Sequence, residues 1–225
     1  MNNLEKGYSS KVDAQLSQPK QSLIYSFISY CLVFPIFRTL FRGRISGYKN
    51  VPLKGALVVV ANHGSHLDPP LLGNVLGRPV AFMAKEELFR IPLLGSIIHA
   101  CGAYPVSRGS SDREALRVAS KRLSLGWAIG VFLDGTRQAN GLVNKPMAGA
   151  ALLSARSGAP ILPVAIINTH RVLGKGRTFP RLLPIYVRIG KLIPPASSRK
   201  KADLIDTTNK AKSAINSMIE KGALS

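Results

Sequence analysis

The sequence predicts an α/β domain: a mainly parallel mixed sheet flanked by helices. Two observations predict it. Apolar, β-branched segments alternate with segments of helical periodicity along most of the 225 residues, the pattern of parallel strands joined by helical crossovers. Three polar segments, 62–68, 107–108 and 134–137, each follow the end of an expected strand, where sites of open α/β folds lie. The length suits one domain with a core that needs no disulfide staples. It divides into a polar tail over 1–20, a helical, membrane-associating segment over 21–44 and the α/β domain over 45–225.

In the N-terminal segment, Ile24, Phe27, Ile28, Cys31, Leu32 and Pro35 follow helical spacing. The uncharged run from Gln21 to Phe37 is about 17 residues, short of the roughly 20 that a membrane span needs. Pro35 interrupts it, and Arg38, Arg42 and Arg44 follow. An amphipathic or half-inserted anchor fits these features, with Phe27, Phe34, Phe37 and Phe41 as its aromatic content. The alternative is a helix packed on the core. No secretory signal is visible, because the apolar stretch starts far in and no small-residue cleavage pattern follows.

The remaining elements follow in order. Ala56 to Ala61 reads as a buried strand. A tight loop then carries His63 and Ser65. Asp68-Pro69-Pro70 supplies a favoured N-cap and first-turn prolines for a helix over Pro70 to Leu76. Val80 to Met83 is a strand that delivers Lys85. Leu88 to Gly102 is apolar, broken by Pro92, and reads as a helix near the site or against lipid. Ala103 to Val106 is extended and ends in Ser107-Arg108.

Ser111 to Glu114 matches a capping box for a helix running to about Leu125, with Gly126 as its stop. Trp127 to Leu133 is a strand that ends in Asp134-Gly135-Thr136-Arg137. A helix over Ala148 to Ser157 closes at Gly158. Ile161 to Ile167 is a buried strand in which Pro163 implies an edge or a bulge. Ile185 to Ile189 is a further strand. A final helix over Lys201 to Lys221 carries Leu204, Thr208, Ala211, Ile215 and Met218 on one face.

Lys and Arg number 31 against 11 Asp and Glu, a formal net charge of +20. Such an excess points to a polyanion, either nucleic acid or an anionic lipid surface. At 46% hydrophobic residues, the chain is greasier than most nucleic-acid binders, so a membrane surface fits better and no nucleic-acid partner is expected. Two distant cysteines, Cys31 and Cys101, form no disulfide framework and imply a reducing compartment. His63, His66 and Asp68 lie close in sequence, but no further strong ligand stands near, so no metal is expected.

His63 and Asp68 stand five positions apart on one loop. A carboxylate curling back to the imidazole would fix its tautomer and stabilise the imidazolium formed on proton uptake. The plainer alternative is an N-cap aspartate beside a polar loop histidine. In Asp134-Gly135-Thr136-Arg137, Gly135 permits close backbone approach, and Thr136 and Arg137 are suited to an anion such as a phosphate. An ordinary polar turn would look the same. Lys85 and Arg108 lie at element ends on the same edge. With Arg137 they would form a cationic cluster for a phosphomonoester.

These residues carry a resemblance. Asn62-His63-Gly64-Ser65-His66-Leu67-Asp68 resembles the first motif of the glycerolipid acyltransferase family. Gly102 to Arg108 is similar to its second motif, Phe132 to Arg137 to its third, and Ile161 to Ile166 to its fourth. Order and spacing match over roughly residues 45–190, most like the 1-acylglycerol-3-phosphate acyltransferases, with a glycerol-3-phosphate acyltransferase-like fold. The resemblance implies transfer of a fatty acyl group from acyl carrier protein or coenzyme A to the 2-hydroxyl of lysophosphatidic acid, giving phosphatidic acid for phospholipid synthesis. It implies His63 as general base and Asp68 as its partner. It assigns Arg108, Asp134, Gly135 and Arg137 to the acceptor's glycerol phosphate, with Lys85 near the same phosphate or the thioester. The thioester is a co-substrate, so no cofactor is expected.

One departure stands out: Leu133-Asp134 replaces the family's usual proline and glutamate. The expected place of work is a membrane surface, peripheral or half-inserted, at the cytoplasmic face. Another acceptor (glycerol 3-phosphate or another lysolipid) and a non-catalytic basic membrane- or nucleic-acid-binding protein are the competing readings.

Overall fold

The computed structural model describes residues 26–27, 29–92, 95, 98, 103–106 and 112–222. The expected polar tail over 1–20, Cys101, and Ser107 and Arg108 lie outside the described residues, as does most of the apolar stretch 93–102. Seven strands form one sheet: β1 (Arg44–Ser46), β2 (Leu57–Ala61), β3 (Val80–Lys85), β4 (Tyr104–Val106), β5 (Ala128–Phe132), β6 (Ile161–Ile167) and β7 (Tyr186–Ile189). Their order is β1-β7-β6-β2-β5-β3-β4. From β6 to β4 all neighbours are parallel, whereas β7 runs antiparallel to β6 and carries β1 parallel to itself. The expected mainly parallel mixed sheet is present.

β2 shows why the site is rigid. All five of its side chains are buried. Leu57, Val59 and Ala61 enter one core with α1 (Asp68–Val75) and with Phe37 and Phe41. Val58 and Val60 enter the other, with α3 (Asp112–Ser124), α4 (Gly149–Ser157) and α6 (Lys201–Glu220). A buried Val or Leu contributes about 1.5–3 kcal/mol, so this strand resists displacement strongly and anchors whatever follows it. Among the described residues there are also two short helices, α2 (Glu86–Phe89) and α5 (Thr169–Leu173). The expected apolar face of α6 is buried at Leu204, Thr208, Ala211 and Ile215.

The starting ends of β2, β3 and β5 are held by one buried cation. The Arg78 guanidinium donates to the carbonyls of Pro52, Gly55 and Gly126, at 2.6, 2.7 and 3.0 Å. Burial pulls its pKa down from the usual arginine range.

The fold bears on three expectations. Pro163 is not on an edge, since β6 lies between β7 and β2. The bulge reading fits instead: Val164 pairs with Ile189, but Ile161 faces Ile193, a slip of one residue. The proline's missing N–H falls at that slip, where only its carbonyl is used, accepting from Gly190 N at 2.8 Å.

Asp68 is not an N-cap. It is the first residue of α1, Leu67 occupies the cap position, and the carboxylate turns back into the preceding loop. The N-terminal segment holds two π-helical turns, Ser29–Val33 and Ile36–Leu40, and along it Phe27 and Phe34 are exposed whereas Phe37 and Phe41 are buried in the core. The segment therefore packs one face on the core and leaves the other exposed. No helix among the described residues is long and apolar enough to cross a membrane.

Candidate active site

β6, β2 and β5 lie side by side and all run the same way, so their C-terminal ends meet. Asn62, the first residue past β2, is buried. Its amide donates to the carbonyls of Gly141 (2.7 Å) and Ile166 (2.8 Å), and its oxygen accepts from Ile166 N (2.8 Å). It thereby fixes the start of the loop to β6 and to the segment after β5. Gln138 N donates to the His63 carbonyl at 2.7 Å, a second tie to that segment.

Within the loop, Asp68 is fully buried, and its Oδ2 accepts from Gly64 N (2.7 Å) and Ser65 N (2.8 Å). The same oxygen lies 2.9 Å from His63 Nδ1. A carboxylate oxygen bound to two amides only accepts, so Nδ1 is the donor. Nε2 of neutral His63 is then left with a free lone pair, the arrangement of a general base. Asp68 Oδ1 is buried with no hydrogen-bond partner among the described residues.

His63 stacks on Phe132 at the end of β5, centroids 4.1 Å apart and planes at 17°, and keeps 17% of its side chain exposed. The Ser65 hydroxyl donates to the Leu173 carbonyl (2.7 Å) and accepts from Leu67 N (3.1 Å). Ser65 is a structural tie, without the bond to His63 that a nucleophile needs.

The turn after β5 is built around Asp134. Its Oδ2 accepts from Asn144 N at 3.0 Å and its Oδ1 from Lys145 N at 2.7 Å. Leu133, beside it, is buried in the core. Gly135 has φ +63°, a left-handed conformation that favours glycine. Gly135 and Thr136 are exposed and Arg137 is half-buried. Among the described residues no carboxylate pairs with Arg137.

The structure thus brings His63, Asp68 and the 134–137 turn to adjacent strand ends. Lys85 closes β3, of which only its backbone is described, and Arg108 lies outside the described residues.

One residue of this neighbourhood carries no sequence signal used above. His170, in α5, packs against both loops. A side chain at Gly64 would meet its Cβ at 2.7 Å, and one at Gly141 would meet its Nδ1 at 2.3 Å. Burial and, after it, the Arg171 charge push His170 below the usual histidine pKa, while Asp68 pulls the other way. The rule that found the other segments also points here, because Asn168-Thr169-His170 follows the end of β6.

Comparisons with known proteins agree with this picture. A family model described as Acyltransferase matches residues 42–167. A 1-acyl-sn-glycerol-3-phosphate acyltransferase of Borreliella burgdorferi is 30% identical over 151 residues, covering 66% of this chain and 60% of that protein. The corresponding figures for a Bacillus subtilis protein of the same name are 30% over 127 residues, 55% and 63%. A chloroplastic relative from Brassica napus is 28% identical, with 64% and 41% covered. The chain thus spans less than two thirds of the length of each. The crystal structure of the 1-acyl-sn-glycerophosphate acyltransferase of Thermotoga maritima superposes over 100% of this chain and 85% of that one, at 24% identity and a TM-score of 0.72, which establishes the shared fold.

Proposed function

This chain belongs to the acyltransferase family, and from that premise we propose that it transfers a fatty acyl group from a thioester to the 2-hydroxyl of lysophosphatidic acid, giving phosphatidic acid. The names of its relatives support this acceptor. The observation that carries the chemistry is the His63–Asp68 contact at the end of a wholly buried strand.

In the proposed step, His63 Nε2 takes the proton of the acceptor hydroxyl. The hydroxyl oxygen attacks the thioester carbonyl, forming the C–O bond. As the C–S bond breaks, the thiolate leaves and takes the proton back from the imidazolium. A thioester is already activated, so neither a covalent enzyme intermediate nor a resident cofactor is part of the proposal. Asp68 holds the ring and stabilises the imidazolium.

Arg137 and Thr136, with Arg108 and Lys85, would bind the acceptor phosphate, while Gly135 lets the backbone approach it. Asp134 would act by holding this turn in shape. Acyl carrier protein or coenzyme A would supply the acyl group, both being acidic partners for a basic chain. Catalysis would take place at an anionic membrane surface, cytoplasmic face, with the 21–44 segment peripheral or half-inserted.

An acyl-transfer assay with lysophosphatidate and both thioester donors tests the reading, wild type beside His63→Ala. Phosphatidic acid from the wild type alone supports it. Equal turnover by folded His63→Ala would overturn the general-base role. Turnover only with glycerol 3-phosphate or another lysolipid would reassign the acceptor.

A further inference from the structure

The eleven acidic residues are unevenly placed: no Asp or Glu occurs from residue 14 to 67, nor from 135 to 202. The fold brings parts of these two acid-free stretches together. Residues 175–182, after α5, are exposed throughout, and Phe179 and Leu182 show 80% and 56% of their surface. Lys175, Arg177 and Arg181 flank them.

This segment is fastened to the end of the N-terminal segment. Arg42 donates to the Leu182 carbonyl at 3.4 Å, and Ile185 N donates to the Phe41 carbonyl at 3.1 Å. Beyond that seam the N-terminal segment exposes Phe27, Tyr30, Leu32 and Leu40. Large apolar side chains whose only charged neighbours in these stretches are cations, on two segments some 140 positions apart in sequence, match a surface that is apolar within and anionic at its boundary.

We propose that residues 175–182 are a second bilayer-contacting element, inserting Phe179 and Leu182 beside the N-terminal segment while Lys175, Arg177 and Arg181 meet anionic headgroups. This deepens the membrane-surface reading above and rests on it. The element is also wired to the chemistry. It leaves α5 directly, where the Leu173 carbonyl holds the Ser65 hydroxyl and His170 packs on Gly64. Docking the loop would therefore set the height of His63 above the lipid from which a lysophospholipid acceptor presents its hydroxyl. Nucleic acid accounts for the cations but not for exposed Leu182.

The test is sedimentation of the full chain with phosphatidylcholine vesicles, with and without phosphatidylglycerol. Phe179→Ser combined with Leu182→Ser should lower binding to the anionic vesicles about tenfold, as expected for losing two partly inserted apolar side chains. Arg177→Gln and Arg181→Gln should each lower it about fivefold, and only when phosphatidylglycerol is present. Circular dichroism checks folding. Should the double variant unfold, Phe179→Trp decides, its added emission shifting to the blue on anionic vesicles.

Turnover of the double variant should fall on vesicle-embedded acceptor and hold on detergent-dispersed acceptor. Undiminished vesicle binding, an unshifted emission, or a defect confined to the carrier-protein thioester would each overturn the proposal, the last marking a protein-docking surface instead. Vesicle binding is read without turnover, so it stands or falls separately from the acyl-transfer assignment.

Discussion

Two aspartates, Asp68 and Asp134, make nearly the same structure and do different work. Each lies just beyond a core strand of the sheet, β2 for one and β5 for the other, and these strands are neighbours. Each is buried, and each accepts two backbone N–H groups. At Asp68 both amides share one oxygen, and that oxygen also holds His63. At Asp134 each oxygen takes one amide, and among the described residues no side chain is held. The same carboxylate brace thus orients an imidazole ring in one loop and fixes only the shape of the other. Charge and burial do not separate these roles; the third ligand of the carboxylate does.

The sharpest test removes that third ligand. His63→Ala should lower turnover by about 10²–10⁴, the usual share of a general base, with the melting temperature nearly unchanged. Asp68→Asn should come next. Its carbonyl oxygen can keep the Gly64 and Ser65 N–H groups, but the negative charge is lost and its NH2 falls where Oδ1 has no partner among the described residues, so turnover should fall by about 10² or more and stability by about 1–3 kcal/mol in a denaturant titration. A fully active Asp68→Asn would reduce the two aspartates to one kind.

Asp134→Asn should show the opposite balance. Stability should again drop by about 1–3 kcal/mol, while turnover at saturating acceptor stays within about tenfold of wild type. Asp134→Glu restores the residue the family favours. A shift in acceptor kinetics is expected, and identical kinetics would mean that the shorter side chain is neutral. Arg137→Gln should raise KM for a phosphorylated acceptor about tenfold, as losing one charged hydrogen bond does, with little change in kcat.

The smallest effect belongs to His170. Its pKa is lowered in the folded state, so below the ordinary histidine value the unfolded chain binds the proton first. Folding stability should therefore decline as pH falls through about 6.5 toward the lowered value, and then level off. His170→Gln should flatten that decline in melting temperature against pH. A parallel decline in both proteins would place the titration elsewhere.

What was legible in the sequence follows from the same physics. β2, β5 and β6 are buried on both faces, so their apolar runs are unbroken and visible. The motif at 62–68 was visible too, but not the destination of the Asp68 carboxylate, because an N-cap and a loop brace use the same residue type at nearly the same place. β1 was missed, since Arg44-Ile45-Ser46 has no alternation of its own and exists only because β7 offers an edge. His170 was not legible because it belongs to no motif and reaches the site only where the short α5 packs against the Gly64 and Gly141 loops, a tertiary contact. Phe37 and Phe41 looked like lipid anchors because helical spacing does not say which face turns inward.

Those two phenylalanines have a practical meaning for handling the protein. They pack with β2 and α1, and the Phe37 ring lies so close to Gly43 that even a methyl group there would collide with it. A chain trimmed to start at Gly43, in the hope of a form easier to purify without detergent, would leave a hole where two aromatic rings belong. Truncation there should give insoluble material rather than a soluble enzyme, and swapping individual outward-facing residues is the safer route.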